Sequence, residues 1–152
     1  MDNHELVEVD LEEVISRALH MLTNEFKYDY KVVSDLTPHS IILGSEGQLQ
    51  QVFINFFINA KHAMEEGGTL TVKCFRNKQR IIVTIEDQGH GIAEQDLKEI
   101  FTPFFTTKTP GEGTGLGLSI SYSILQQHHA KISVTSEVNK GTTFTLSFIA
   151  VD

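Results

Sequence analysis

The chain is predicted to be an α+β fold, a two-layer α/β sandwich. Its mixed, mostly antiparallel sheet of about five strands would carry helices on one face, with a flexible lid over one end. Three observations lead there. Apolar residues alternate with period two in some runs and recur at helical spacing in others, in the order strand, helix, two strands, helix, two strands, lid, helix, two strands. The 152 residues, 40% of them hydrophobic, suffice for a real core, and 1–152 reads as a single domain without repeat or linker. Six of the eleven glycines (Gly89, Gly91, Gly111, Gly113, Gly115 and Gly117) fall between Asp87 and Leu118, around a stretch with no periodicity.

Glu5 to Val9 reads as a short strand. Asp10 with Glu13 makes a capping-box pair, and Leu11, Val14, Ile15, Ala18, Leu19 and Leu22 follow at helical spacing. Tyr30–Leu36 and Ile41–Leu43 are strand-like, separated by a turn at Thr37-Pro38. Ser45 and Gln48 form a second capping pair ahead of a helix over Glu46–Met64. Leu49, Val52, Phe53, Phe56, Phe57, Ala60 and Ala63 make its core stripe, while Ile54 and Ile58 stand roughly opposite and call for a second cover, with the first helix as candidate. Thr69–Arg76 and Arg80–Glu86 alternate as an antiparallel hairpin turning around Asn77-Lys78. Ala93–Ile100 reads as a short helix, Phe101–Thr114 as a functional lid or a disordered loop, and Gly115–Gln127 as a helix. Ile132, Val134 and Ser136 alternate in one strand, and Thr142, Phe144, Leu146 and Phe148 in the last, which puts Thr142 on the core side.

Composition narrows the function classes. The net charge of −8 (12 basic against 20 acidic residues) argues against a nucleic-acid surface, so an anionic ligand would need local groups or a divalent cation. The single cysteine, Cys74, allows no intrachain disulfide and suggests a reducing compartment. No apolar run has membrane-spanning length and no signal peptide is visible. The domain is therefore expected to be cytoplasmic and to make no membrane contact itself, with an anchor possible upstream in a longer protein.

A glycine-dense loop feeding a helix can point backbone N–H groups and the positive end of the helix dipole at an anion, although mobile loops collect glycine too. The alternation of Ile81, Val83 and Ile85 aims Asp87 inward at its strand end. An inward carboxylate needs a donor, which either a purine amino group or a backbone N–H of the following glycine turn would supply. Asn55, Asn59 and His62 cluster on one flank of the apolar stripe. Asparagine is a poor interior helix former, so the pair either reaches a ligand, or is solvated or caps a neighbouring loop. His20 reads as a partly exposed helix residue, and His128 and His129 as caps at a helix end and not ligands.

With these pieces placed, the chain resembles the ATP-binding catalytic domain of sensor histidine kinases, within the GHKL (Bergerat-fold) superfamily, from about Glu5 to Ile149. Four motifs stand in the family's order. The asparagine box is Gln51-Val-Phe-Ile-Asn55-Phe-Phe-Ile-Asn59-Ala60-Lys-His62-Ala63-Met64. The first glycine box is Asp87-x-Gly89-x-Gly91-Ile92, the phenylalanine box Phe101-x-Pro103-Phe104-Phe105, and the second glycine box Gly113-Thr114-Gly115-Leu116-Gly117-Leu118. The resemblance implies that Asp87 accepts from the adenine amine, that Gly91 lets the base approach the backbone closely, that Gly89 and Ile92 belong to the ATP site, and that Thr142 helps read the base through water. It implies Mg²⁺ on Asn59, with Asn55 supporting the ion or its waters. His62 stands where the family often has a basic residue near the phosphates, with Lys61 as competitor. Thr106, Thr107 and Lys108, with the amides of Gly113, Thr114, Gly115, Leu116 and Gly117, would close over the ATP phosphates as the lid orders; Phe104 and Leu118 also belong to the ATP site, and Asn55 and Lys108 are the candidate catalytic residues.

The related ATPases (DNA gyrase, MutL, heat-shock chaperones) and serine-directed relatives carry Glu at the position of Asn55, as a general base. Asparagine cannot take that proton at neutral pH, so the resemblance points to phosphoryl transfer to histidine. A nucleotide-gated interaction module without transfer, or an ATPase of the superfamily, is the alternative. No string reads as a phospho-acceptor; His4-Glu5 is the nearest and lacks the rest of the pattern. The acceptor and dimerisation domain is expected upstream, and a response regulator would be met through the full kinase. After the last helix the family usually has Gly or Asn where this chain has His129-Ala130, so His129 is predicted to have φ > 0.

Overall fold

The computed structural model describes residues 6–102 and 117–151. In chain order its elements are β1 (Val7–Asp10), α1 (Leu11–Met21), β2 (Tyr30–Leu36), β3 (Ile41–Gly44), α2 (Glu46–Ala63), β4 (Gly68–Asn77), β5 (Arg80–Asp87), α3 (Gly117–Gln127), β6 (Lys131–Glu137) and β7 (Gly141–Ile149). The main sheet runs β2-β4-β5-β7-β6, and β1 pairs with β3 as a separate antiparallel ribbon. Only β2 and β4 run parallel; every other pairing in the sheet is antiparallel. The mixed, mostly antiparallel five-stranded sheet expected from the alternation is therefore what forms, and the β1–β3 ribbon is an addition to it.

Register explains how the sheet acquires one apolar face. Cys74 lies opposite Val83 and Val83 opposite Leu146, while Ile85 faces Phe144 and Ile81 faces Phe148. All of these side chains are buried. Against them lies α2, with Leu49, Val52, Phe53, Phe56, Phe57 and Ala60 buried and Ala63 half-buried at its end. Phe56 meets Phe144 with ring centroids 4.9 Å apart, and Phe53 stacks on Phe57 at 6.2 Å. Each fully buried phenylalanine contributes on the order of 1.5–3 kcal/mol, so this stripe is the main seam of the core. The first helix packs on α2, burying Leu11, Val14, Ile15 and Ala18. Cys74 belongs to the core, where burial pushes its thiol up to about 11 and leaves it a packing residue.

The helix ends differ in part from expectation. Asp10 caps α1, but through the N–H of Glu12 at 3.0 Å, and its carboxylate also accepts from Ser40 N–H at 3.1 Å. Glu13 instead faces Arg17 at 3.6 Å, so the expected capping box with Glu13 gives way to a clamp on the β2–β3 turn. Ser45 occupies the N-cap of α2 with extended backbone but makes no side-chain cap, which corrects the Ser45–Gln48 pair. Residues 94–101 form consecutive turns, not the helix expected over Ala93–Ile100. Their bonds span mostly three residues, Asp96 N–H to Ala93 and Glu99 N–H to Asp96, with only Leu97 reaching back four.

The C-terminus of α3 follows the pattern read from its residues. His129 has φ 56, as predicted. Its N–H donates to the Gln126 carbonyl, and Ala130 N–H donates to that of Leu125, closing a Schellman motif. His128 is buried and acts as a latch: Ser45 N–H donates to its Nε2 at 3.0 Å, so Nδ1 carries the proton and donates to the Ile124 carbonyl at 2.8 Å. His128 thus caps α3 and ties its end to the start of α2. Replacing His128 by Ala strands the buried Ser45 N–H and is expected to lower stability by about 1–3 kcal/mol in urea unfolding. A change below about 0.5 kcal/mol would show that water fills the gap at no cost.

Candidate functional site

Two corners of the molecule gather the residues singled out from the sequence. The first lies at the end of β5. Asp87 is 5% exposed, and its Oδ1 accepts from Gly89 N–H at 2.8 Å. Burial raises its pKa above the ordinary carboxylate range, and the backbone N–H groups of Gly89 and Thr142 offset part of that rise. Of the two donors weighed for this carboxylate, the glycine-turn N–H is one that it meets. Thr142 lies opposite Asp87 on β7 and is equally buried.

The glycine turn after Asp87 is sewn to its surroundings through its backbone. His90 N–H donates to the Ala63 carbonyl at the end of α2 (3.0 Å), and Asn139 N–H donates to the His90 carbonyl (2.7 Å). Ile92 N–H donates to Ser136 Oγ on β6 at 2.7 Å. Gly91 has φ 75, and a Cβ there would stand 2.2 Å from the Glu137 carbonyl oxygen; one on Gly89 would stand 2.4 Å from that of Ala63. Both residues must be glycine for the turn to lie this close to α2 and to the β6–β7 connection.

The second corner lies between α2 and α3. Asn55, Asn59 and His62 are half-buried on one flank of α2. Asn55 Nδ2 lies 3.4 Å from the Gly117 carbonyl oxygen and 3.3 Å from Ser121 Oγ, so the first turn of α3 holds it. Because the Gly117 carbonyl can only accept, this contact fixes which end of the amide is NH₂ and turns Oδ1 away from α3. Lys61, the competitor of His62, ion-pairs with Glu25 at 3.1 Å. Leu118 packs on the core, and Phe101 of the phenylalanine box stacks on Tyr122 with centroids 5.0 Å apart. Phe104, Thr106, Thr107, Lys108, Gly113, Thr114, Gly115 and Leu116, with most of the expected lid, lie outside the described residues.

Among the described residues no cluster of three or more His, Cys, Asp or Glu could hold a metal. Side-chain amide oxygens of Asn55 and Asn59, one turn apart, suit a hard divalent cation that takes its other ligands from water or phosphate. Two contributors were missed in the sequence. Ser136 Oγ links Ile92, Thr142 and Gly141, and Ser121, fully buried, meets Asn55. The available signal was a hydroxyl at a core-facing step of each element's period.

Comparison with known proteins follows the same lines. The family described as histidine kinase-, DNA gyrase B-, and HSP90-like ATPase matches residues 44–151. Sporulation kinase A of Bacillus subtilis is 43% identical over 107 residues, covering 70% of this chain and 17% of that protein. Sensor histidine kinase ZraS of Salmonella typhi is 36% identical over 142 residues, covering 91% of this chain and 30% of that protein. The chain thus spans less than a third of the length of these relatives. Among solved structures, the catalytic domain of histidine kinase ThkA superposes with a TM-score of 0.86 at 29% identity, covering 96% of each chain. No helix among the described residues is long and apolar enough to cross a membrane.

The raised pKa of Asp87 has a consequence for stability. A carboxyl whose folded pKa lies above its unfolded value favours the fold while protonated, and that contribution is lost as pH rises through the folded pKa. Asp87→Asn keeps an acceptor for Gly89 and removes the buried charge. It is expected to raise the melting temperature over wild type by a margin that grows between about pH 4 and pH 7. A variant less stable than wild type throughout that range would mean that the ionised carboxylate supports the fold.

Proposed function

The chain belongs to the histidine kinase-, DNA gyrase B-, and HSP90-like ATPase family, as a catalytic domain of the sensor histidine kinase type. From that premise we propose that it binds Mg·ATP and donates the γ-phosphoryl group to a histidine on the dimerisation domain of a two-component sensor kinase. The observation that carries this reading is the Asp87 corner: a buried carboxylate beside a buried threonine, next to a glycine turn packed tightly against the end of α2 and the β6–β7 connection. In it the adenine amine meets Asp87, with Gly89, Gly91, Ile92 and Thr142 around the base. The phosphates run toward Asn55, Asn59 and His62 and are covered by Phe104, Thr106, Thr107, Lys108 and the residues from Gly113 to Leu118.

Asparagine at position 55 favours transfer to histidine over self-sufficient hydrolysis. Its amide takes no proton at neutral pH, and its NH₂ is already engaged by Gly117 and Ser121. A histidine acceptor brings its own nucleophilic nitrogen, which forms the new N–P bond as the bond from the γ-phosphorus to its bridging oxygen breaks and ADP leaves. The domain's task is then positioning and charge stabilisation. Mg²⁺, held through the oxygens of Asn59 and Asn55, would neutralise phosphate charge. Lys108 would supply a cation from the lid.

In this reading 1–152 is one ATP-binding unit of a longer kinase and lies on the cytoplasmic side, where ATP is available. A response regulator receives the phosphoryl group from the histidine of the full kinase.

The test combines this chain, labelled ATP, Mg²⁺ and a dimerisation domain bearing the acceptor histidine. Acid-labile label on that histidine is expected. Nucleotide binding without label would make the chain a gated interaction module, and steady turnover by the chain alone would make it an ATPase. Asp87→Asn is expected to lower ATP affinity by at least about tenfold in calorimetry, because an amide can present a donor to a donor; unchanged affinity would remove Asp87 from the adenine site. Asn59→Ala is expected to weaken Mg²⁺-dependent binding or transfer far more than Mg²⁺-free binding, and equal losses would argue against a metal role.

A further inference from the structure

We infer that Ser136 fixes the direction of the Thr142 hydroxyl proton, leaves the Asp87–Thr142 corner with acceptors only, and so selects a purine with an amine at position 6 over one with a carbonyl. The inference rests on the nucleotide site proposed above and assigns its specificity to a residue outside the four motifs.

Three groups surround Ser136 Oγ, which has one proton to give. Ile92 N–H donates to Ser136 Oγ at 2.7 Å and fills one of its lone pairs. The Gly141 carbonyl oxygen, 3.0 Å from the same Oγ, can only accept, so the single Ser136 proton goes there. Thr142 Oγ1 lies 2.8 Å from Ser136 Oγ, and the proton in that contact must be the threonine's own. The reverse assignment would leave two oxygen lone pairs facing each other at 3.0 Å with no proton between them. Thr142 therefore turns its proton toward β6 and presents lone pairs elsewhere.

Asp87, directly across the strand pair, is acceptor-only when ionised. A 6-amino purine can donate to the carboxylate directly and to the threonine directly or through a water. Hypoxanthine sets a carbonyl against the carboxylate where adenine sets its amine and keeps only N1–H as a donor on that edge, so the direct partner of Asp87 is lost, the situation in which polar sites discriminate most strongly. Without the serine hydroxyl the threonine proton can swing toward the base, and the corner can then donate to a carbonyl.

The test measures dissociation constants of ATP and inosine triphosphate for wild type, Ser136→Ala, Ser136→Thr, Thr142→Val and the Ser136→Ala/Thr142→Val double variant. Taking the ratio within one preparation cancels any difference in folded fraction. Wild type is expected to prefer ATP, Ser136→Ala to lose about tenfold of that preference, and Ser136→Thr, which keeps the hydroxyl, to retain it. In the Thr142→Val background, Ser136→Ala is expected to change the ratio no further, because the serine acts through the threonine. If Ser136→Ala weakens both nucleotides equally, the serine only anchors Ile92 and the inference is overturned. A ratio that falls just as far on the valine background overturns it too. Failure of wild type to bind ATP would instead overturn the nucleotide site itself, and the inference with it.

Discussion

A carboxylate with almost no access to water is the constraint around which the rest of this structure is arranged. Asp87 continues the inward side of a strand whose earlier inward residues, Ile81, Val83 and Ile85, are core. Burying a charge there is tolerable only if donors converge on it. The chain supplies one from the turn that immediately follows, at Gly89, and another from the facing strand, at Thr142. Those donors reach the carboxylate only if the turn lies flat against the end of α2 and against the β6–β7 connection. That placement fixes glycine at positions 89 and 91 and calls Ser136 and Asn139 into service.

The long helix is the common support of both corners. Its phenylalanines fill the space between sheet and helices, its last turn receives the glycine turn, and its polar flank faces α3. Core and site are thus two faces of one element. A substitution that rotates α2 by a fraction of a turn would move the asparagines and the floor under Gly89 together. Such coupling holds both corners on one rigid scaffold, and it also makes the phenylalanine stripe matter to polar residues that it never touches.

Much of this was readable from local pattern, because local pattern is where the governing energies lie. Period-two alternation predicted the inward Asp87 and Thr142, and helical spacing predicted the buried side of α2, since burial of apolar area dominates both choices. The left-handed backbone at His129 followed from what a helix end requires. Expectations failed where a distant partner intervened. Asp10 was drawn to Ser40, and Glu13 lies beside Arg17 and not at the cap. Ser45 gives its N–H to His128 and makes no side-chain cap to its own helix. The segment after Ala93 has helix-forming residues, yet its bonds close mostly over three residues. The hydroxyls of Ser121 and Ser136 lie at core-facing steps, but which oxygen or nitrogen each would meet depends on strand register and helix docking that no short window contains.

Helices α2 and α3 run antiparallel, and α3 is tied to α2 near both of its ends by different means. At the far end a buried imidazole joins Ile124 to Ser45; at the near end the Asn55 carboxamide reaches Gly117 and Ser121 of α3 over 3.3–3.4 Å. A ligand that took up the Asn55 amide would therefore cost α3 both of these contacts, while the His128 tie at its other end would stay as it is.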